Sequence, residues 1–231
     1  MINIAKNLSQ IQHNISDYCE KYQRNPKDVR LLAVSKTQSA ENIRCAFNAG
    51  QTCFGENYLQ ESLQKIQDLR DLAIEWHFIG AIQSNKTREL ALNFAWIHSV
   101  DRLKIAHRLS QQRPASLPPI NLCLQVNISE EATKSGFTAA DIASAIDEVI
   151  SLPNIRLRGL MAIPAKAKSL ADQRKIFAKM RSTLETSQLR HPQLDTLSMG
   201  MSGDMQAAIA EGSTMVRIGT AIFGARMPAG L

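Results

Sequence analysis

A lysine stands where a buried strand would end. Lys36 closely follows the apolar run at 31–34. An ammonium group at such a position costs free energy unless it meets a counter-ion or loses its proton. Lys36 therefore either extends into solvent at the rim of a sheet, or is an amine with a lowered pKa that forms a Schiff base with an aldehyde. The segment alone leaves both interpretations open.

Two glycine-containing turns near the end of the chain have the composition of an anion site. Gly219 and Thr220 follow one apolar run, and Ser202 lies in a turn that follows the preceding run. Backbone N–H groups and a hydroxyl at the start of a helix are typical partners of a phosphate. A single glycine is more often the residue of a tight turn. Because two such turns follow successive strands, we expect a phosphate site, with Arg217 beside it.

Other polar residues near the predicted strand ends have simpler interpretations. Asn57 either caps the next helix, as Asn commonly does, or faces a ligand. His77 lies inside an apolar run, where a histidine is usually a hydrogen-bonded core residue, and we expect no further ligand beside it. No metal site is predicted. The four cysteines are far apart and lack zinc-site spacing: Cys19, Cys45, Cys53 and Cys123.

The elements that must position these residues repeat along the chain. Eight short apolar runs, each followed by a longer segment of helical type, lie at 31–34, 52–54, 76–79, 96–100, 120–128, 155–163, 196–199 and 215–218. Continuous apolar runs are typical of parallel strands covered on both faces. The repeat predicts an α/β fold, a (β/α)₈ TIM barrel at 31–224. An open doubly wound sheet is the alternative.

A leading helix precedes the barrel. Within 1–23, apolar residues recur every three or four positions, the spacing of one helical face: Ile4, Leu8, Ile11, Ile15 and Tyr18. We interpret 1–231 as a single domain.

Composition limits the function classes. The 231 residues are 44% hydrophobic and 21% charged, which is typical of a globular domain. The net charge of +6 favours anionic ligands, but basic residues are scattered and aromatic residues make up only 5%, which argues against nucleic acid. No apolar run has the length of a membrane span, and no signal peptide is evident, so we expect a cytoplasmic protein.

In a barrel the carboxyl ends of all strands meet at one mouth. Lys36, the two anion-binding turns and Arg217 should therefore lie together. An aldehyde that carries a phosphate and is bound by a lysine describes pyridoxal 5′-phosphate.

Motifs along the whole chain resemble those of the pyridoxal phosphate homeostasis proteins, the YggS/PROSC family. They are AVSKT at 33–37, FGENY at 54–58, WHFIG at 76–80, QSNK at 83–86, GMS at 200–202 and RIGTAIFG at 217–224. The resemblance implies the fold of the alanine racemase N-terminal domain, with Lys36 as the Schiff-base lysine. It also implies that Ser202, Gly219 and Thr220 hold the phosphate, that Arg217 faces the pyridine nitrogen, and that Asn57 lies beside the ring.

Two positions depart from the family pattern. Gln38 stands where many relatives have a lysine, and Gly203 stands where a larger residue is frequent. Gln38 removes a second amine near the mouth, which puts a lysine-to-lysine transfer of cofactor through that position in doubt. Lys86 and Lys134 are the other candidate amines.

The expected function is that of a cofactor carrier. An arginine at the pyridine nitrogen keeps that nitrogen unprotonated and the ring a poor electron sink. The racemases add a tyrosine base from a second domain, for which we expect no counterpart before the final Leu231. We therefore expect a monomeric protein that delivers pyridoxal phosphate to dependent apo-enzymes with little turnover. The alternatives are an amino-acid racemase or related pyridoxal enzyme, and a protein that binds nucleic acid or another partner through its positive charge.

Overall fold

The computed structural model describes residues 2–129, 135–165 and 167–224. Eight parallel strands form a closed barrel in chain order: β1 (Arg30–Val34), β2 (Cys53–Glu56), β3 (Glu75–Phe78), β4 (Trp96–Val100), β5 (Ile120–Gln125), β6 (Ile155–Met161), β7 (Thr196–Ser198) and β8 (Met215–Ile218). The barrel is closed by pairing of β1 with β8, so the alternative of an open doubly wound sheet is wrong.

Helices surround the strands, as the apolar periodicity predicts. They are α1 (Ile4–Lys21), α2 (Ala40–Asn48), α3 (Leu59–Asp68), α4 (Thr87–Asn93), α5 (Leu103–Gln112), α6 (Ile142–Val149), α7 (Leu170–Gln188), α8 (Met205–Ala210) and α9 (Thr220–Phe223). Short 3₁₀ helices occupy Pro26–Asp28 and Ser84–Lys86. Among the described residues, no helix has both the length and the hydropathy needed to cross a bilayer.

The main core lies between the strands and the surrounding helices. All five residues of β4 are buried, and its two polar side chains, His98 and Ser99, are hydrogen-bonded. Helix α1 covers one side of the barrel, where it packs on α2, α8 and α9 through the predicted apolar face. The Asn7 Nδ2 atom also donates to the Ile222 carbonyl of α9 at 2.9 Å.

The predicted fifth, sixth and seventh strands are longer than the observed β5, β6 and β7, and the difference is largest at β5. We expected the fifth strand to run to 128, but β5 ends at Gln125. The backbone beyond it forms hydrogen bonds with the following loop, since Asn127 N donates to the Phe137 carbonyl at 3.0 Å. Lys134, a candidate amine in this loop, lies outside the described residues.

The closure of the barrel sets the neighbours of Lys36. Because β1 lies between β2 and β8, the loop that carries Lys36 lies between the loops that carry Asn57 and Gly219. The fold therefore brings residues from both ends of the chain to one edge of the barrel.

Candidate functional site

A cavity of 320 Å³ opens at the carboxyl ends of the strands. This volume lies within the range of about 300–1,000 Å³ common for small-molecule sites. All six residues predicted from the sequence to bind cofactor line it: Lys36, Asn57, Ser202, Arg217, Gly219 and Thr220. Apolar side chains supply the rest of the wall, among them Val34, Ile79 and Ile163.

The backbone on both sides of Lys36 is held by charged side chains. Ser35 Oγ donates to Glu56 Oε1 at 2.6 Å, and the Ser35 carbonyl accepts from Lys65 Nζ at 2.8 Å. On the other side, Thr37 N donates to Glu61 Oε1 at 2.6 Å. Thr37 has a φ of 64°, a left-handed conformation that is uncommon outside glycine. These bonds hold the turn that presents the Lys36 side chain to the cavity.

The same charged side chains form a cluster, which we call the clamp: the buried Glu56 and Lys65 and the partly exposed Glu61. Lys65 Nζ donates to Glu56 Oε1 at 2.9 Å and also contacts Glu61 Oε1. Burial raises the pKa of Glu56, whose side chain is completely inaccessible, although the Lys65 ammonium opposes this effect. Glu56 Oε2 has no hydrogen-bond partner among the described residues. One ammonium thus faces two carboxyl groups.

Arg217 is a buried cation in the wall of the cavity. Its Nη1 atom donates to the carbonyl and to Oγ of Ser198, at 2.5 and 2.9 Å, and its Nη2 atom donates to the Ala162 carbonyl at 2.9 Å. Burial lowers the pKa of Arg217 to about 10, so the guanidinium is still charged at neutral pH. These bonds fix the plane of the guanidinium with respect to the cavity.

Behind Arg217, hydrogen bonds continue into the barrel. Ser198 Oγ lies 2.8 Å from His98 Nδ1, His98 Nε2 lies 2.9 Å from His77 Nδ1, and His77 Nε2 lies 2.9 Å from Glu75 Oε1. Both histidines are completely buried, and burial lowers the pKa of each. His77 is therefore a hydrogen-bonded core residue, as predicted.

The expectation that no further ligand accompanies His77 is wrong. Cys53 Sγ, Glu75 Oε1 and His77 Nε2 all lie within 4.8 Å of one another at the amino ends of the strands. The guanidinium of Arg30 lies in this group: its Nη2 atom is 2.8 Å from Cys53 Sγ and 2.5 Å from Glu75 Oε1. A side-chain cation therefore already contacts both the thiol and the carboxylate.

The two predicted anion-binding turns differ in their packing. A Cβ at Gly219 would lie 3.1 Å from the Val34 carbonyl oxygen, so glycine permits the close approach of β8 to β1 there. The Ser202 turn is closed by Asp204, whose Oδ1 accepts from Met201 N at 2.6 Å. A Cβ at Gly203 would meet no atom of the described residues within 4 Å, so a larger residue would fit this backbone.

Asn57 does not cap a helix, so that interpretation is wrong. The N-cap position of α3 is Tyr58, and no side chain of the described residues accepts a capping hydrogen bond there. Asn57 Oδ1 is buried without a hydrogen-bond partner among the described residues, and the side chain lines the cavity. The loops around it are closely packed, because a Cβ at Gly80 would lie 2.1 Å from the Asn57 carbonyl oxygen. Asn57 also lines an adjoining cavity of 430 Å³ that includes Lys86.

Several residues of the site were missed in the sequence. They are Ser35, Glu56, Glu61 and Lys65 of the clamp region, and Glu75, His98 and Ser198 behind Arg217. Polar residues inside apolar runs, such as His98 and Ser198, were the available signal. The sequence does not show which partners they find, since Ser198 and His98 are 100 positions apart.

Comparisons with known proteins agree with this architecture. A family model described as the alanine racemase N-terminal domain matches residues 6–227. Alanine racemase from Clostridium difficile has the same fold, with a TM-score of 0.73 and 16% identity over 95% of this chain and 56% of the racemase. The fold and the site together define the class of alanine racemase-like barrels.

More similar relatives define the family. The pyridoxal phosphate homeostasis protein of Pseudomonas aeruginosa is 56% identical over 226 residues, which cover 98% of this chain and 97% of that protein. The Escherichia coli protein of the same description is 51% identical, with 98% of each chain covered. A solved structure of PipY from Synechococcus elongatus with PLP bound has a TM-score of 0.84 and 37% identity, and covers 96% of this chain and all of PipY. The chain belongs to the family of pyridoxal phosphate homeostasis proteins.

Proposed function

We propose that this chain binds pyridoxal 5′-phosphate as a Schiff base with Lys36 and serves in its homeostasis and delivery, with little turnover of its own. The observation that carries the proposal is the cavity, in which a lysine, a buried arginine and two glycine-containing turns meet. The proposal also draws on the relatives, since PipY was solved with PLP bound.

The residues present fit this cofactor. Ser202, Gly219 and Thr220 offer a hydroxyl group and backbone N–H groups to a phosphate, since the first N–H groups of a helix have no acceptor within that helix. The buried, unpartnered Oδ1 of Asn57 offers an acceptor beside the ring. Arg217 would face the pyridine nitrogen as a hydrogen-bond donor.

The covalent step requires only the Lys36 amine and the aldehyde. The neutral amine adds to the aldehyde carbon, a water molecule leaves, and a C=N bond takes the place of the C=O bond. When bound, pyridoxal phosphate supplies this aldehyde and a ring that withdraws electrons from bonded amines. The positive charge of Arg217 disfavours protonation of a facing nitrogen, which weakens that withdrawal.

An amino-acid racemase is the second candidate, and the shared fold with the racemases is the observation behind it. A racemase of this type needs a second base opposite the lysine. Among the residues that the structure describes, no tyrosine lines the 320 Å³ cavity, and Tyr58 lines the adjoining one. The carrier function is therefore preferred.

The absorbance spectrum of the purified protein tests the binding proposal. We expect a yellow band that borohydride bleaches, that Lys36→Ala abolishes and that the control Lys86→Ala retains. A colourless protein, even after reconstitution with pyridoxal phosphate, would overturn the proposal. Chiral chromatography after incubation with single amino-acid enantiomers separates the two functions, because turnover above about one per second is within the ordinary enzyme range.

The oligomeric state, the compartment and the recipients of the cofactor complete the proposal. We propose that it acts as a monomer in the cytoplasm and that pyridoxal-dependent apo-enzymes receive its cofactor. Sedimentation of the holoprotein tests the first point, since a stable dimer would contradict it. Reactivation of an apo-enzyme faster than by an equal concentration of free pyridoxal phosphate supports direct delivery, and an equal or slower rate contradicts it.

A further inference from the structure

The hydrogen bonds behind Arg217 form a continuous path across the barrel, which we call the relay: Arg217, Ser198, His98, His77 and Glu75. Arg217 is near the carboxyl end of β8, whereas Glu75 is the first residue of β3. The relay therefore joins the cofactor cavity to the opposite face of the barrel.

The two ends of the relay fix the direction of every hydrogen bond. The pKa of Glu75 is lowered to about 2, first by its hydrogen bond with His77, so Glu75 is a carboxylate that can only accept. His77 Nε2 must then carry a proton. Burial keeps His77 neutral, so its Nδ1 atom accepts, and His98 Nε2 must donate to it.

The next two hydrogen bonds, towards Arg217, have the same direction. His98 is also buried and neutral, so its Nδ1 atom accepts the hydroxyl proton of Ser198. Ser198 Oγ is then free to accept from Arg217 Nη1, and a guanidinium can only donate. In each of the four hydrogen bonds, the donor therefore lies on the Arg217 side and the acceptor on the Glu75 side. Both histidines remain neutral and Glu75 remains ionised in this arrangement.

Such an alignment polarises each bond in the same direction, which strengthens the chain in a medium of low dielectric constant. Among the residues that the structure describes, the hydrogen-bond acceptors of Arg217 are all neutral: Ser198 O, Ser198 Oγ and Ala162 O. The hydrogen bond from Arg217 to Ser198 Oγ is connected through His98 and His77 to the Glu75 carboxylate. At that end Glu75 also contacts Arg30 and Cys53.

We propose that Ser198, His98 and His77 are positioning residues for Arg217, which hold its guanidinium towards the pyridine nitrogen and link it to the Glu75 carboxylate. This inference rests on the proposed function, in that it assigns the relay to cofactor binding. A change of charge at the Glu75 face should therefore reach the cavity through the relay.

The first test measures which ring nitrogens of His77 and His98 carry a proton. In the apoprotein labelled with ¹⁵N-histidine, long-range ¹H–¹⁵N correlations should show His77 and His98 as neutral rings protonated at Nε2 near neutral pH. Loss of signals in His98→Gln identifies those of His98, and the exposed His13 is an internal reference. A proton on Nδ1 of either ring, or an imidazolium, would overturn the inference. This result does not depend on pyridoxal phosphate, so it separates failure of the relay from failure of the proposed function.

The second test removes one link of the relay. Ser198→Ala deletes Oγ but keeps the Ser198 carbonyl that Arg217 also contacts. The matched control is Ser213→Ala, which deletes a buried hydroxyl that donates to the Met199 carbonyl at 2.6 Å outside the relay. We expect the Kd for pyridoxal phosphate to rise roughly tenfold in Ser198→Ala, the size of one hydrogen bond to a charged group. The control should stay within about twofold, and Ser198→Thr should restore binding. Equal affinities of Ser198→Ala and the control would overturn the positioning role.

Discussion

Lys65→Met tests whether the clamp holds the Lys36 turn. Lys65 is buried, and its ammonium is the only cation that contacts Glu56 among the described residues. Methionine keeps the length of the side chain but leaves Glu56, Glu61 and the Ser35 carbonyl without their shared donor. Removal of one partner of a buried ion pair typically costs about 3–5 kcal/mol. Since Glu61 is partly exposed and Glu56 can take up a proton, we expect about 3 kcal/mol.

The free energy of unfolding that Lys65→Met loses should depend on pH. Burial already raises the pKa of Glu56 in the folded protein, and loss of the ammonium raises it further. A raised folded-state pKa means that the native state binds the proton more tightly than the unfolded state. The stability that protonation of Glu56 contributes is fully present below its unfolded-state pKa, and it is lost as the pH rises through its folded-state pKa. Lys65→Met should therefore be less destabilised in mildly acidic than in mildly alkaline buffer.

Urea denaturation of the apoprotein measures both effects, and titration with pyridoxal phosphate measures the effect on the site. The control is Lys179→Met, which removes an exposed lysine of α7 and should leave stability and affinity unchanged. Adding Glu56→Gln to Lys65→Met should recover part of the lost stability, because the unpaired carboxylate is gone. A loss below about 1 kcal/mol, the size of a surface pair, or a loss that does not depend on pH would refute the account of the clamp.

Two further predictions concern packing and thiol chemistry. Gly80→Ala should destabilise the fold by about 1–3 kcal/mol and weaken pyridoxal phosphate binding, because its Cβ would lie 2.1 Å from the Asn57 carbonyl oxygen. Gly203→Ala should change neither property, because its Cβ would meet no atom of the described residues within 4 Å. Equal stability of the two variants in thermal denaturation would contradict the packing described at Asn57. A thiol reagent should modify the exposed Cys45 in the native protein, whereas Cys123, completely buried with its pKa raised to about 12 by burial, should react only after unfolding. Mass-spectrometric mapping of the labelled peptides checks this order, and early labelling of Cys123 would show that the barrel opens around it.

The fold and the main cavity could be predicted because their signals are local. Each strand is a short apolar run, and a closed barrel brings all the strand ends to one mouth. Lys36, Ser202 and Gly219 could thus be placed together although they come from distant parts of the chain, and the structure does so.

The clamp and the relay could not be predicted in this way. Their contacts depend on which side chains face each other across the barrel, and a single sequence carries no signal for such pairs. His98 and Ser198 read as isolated polar residues in apolar runs, yet they are hydrogen-bonded to each other. At Asn57 the common preference of Asn for helix caps predicts a role that the structure does not show. The loop geometry places its side chain at the cavity, and Tyr58 occupies the N-cap position.

The most direct test of the central claim is to locate the covalent bond. The holoprotein is reduced with borohydride and digested, and its peptides are mapped by mass spectrometry. The proposed function predicts a pyridoxyl group on the peptide that contains Lys36 and an unmodified peptide around Lys86. A pyridoxyl group on another lysine, with the Lys36 peptide unmodified, would contradict it.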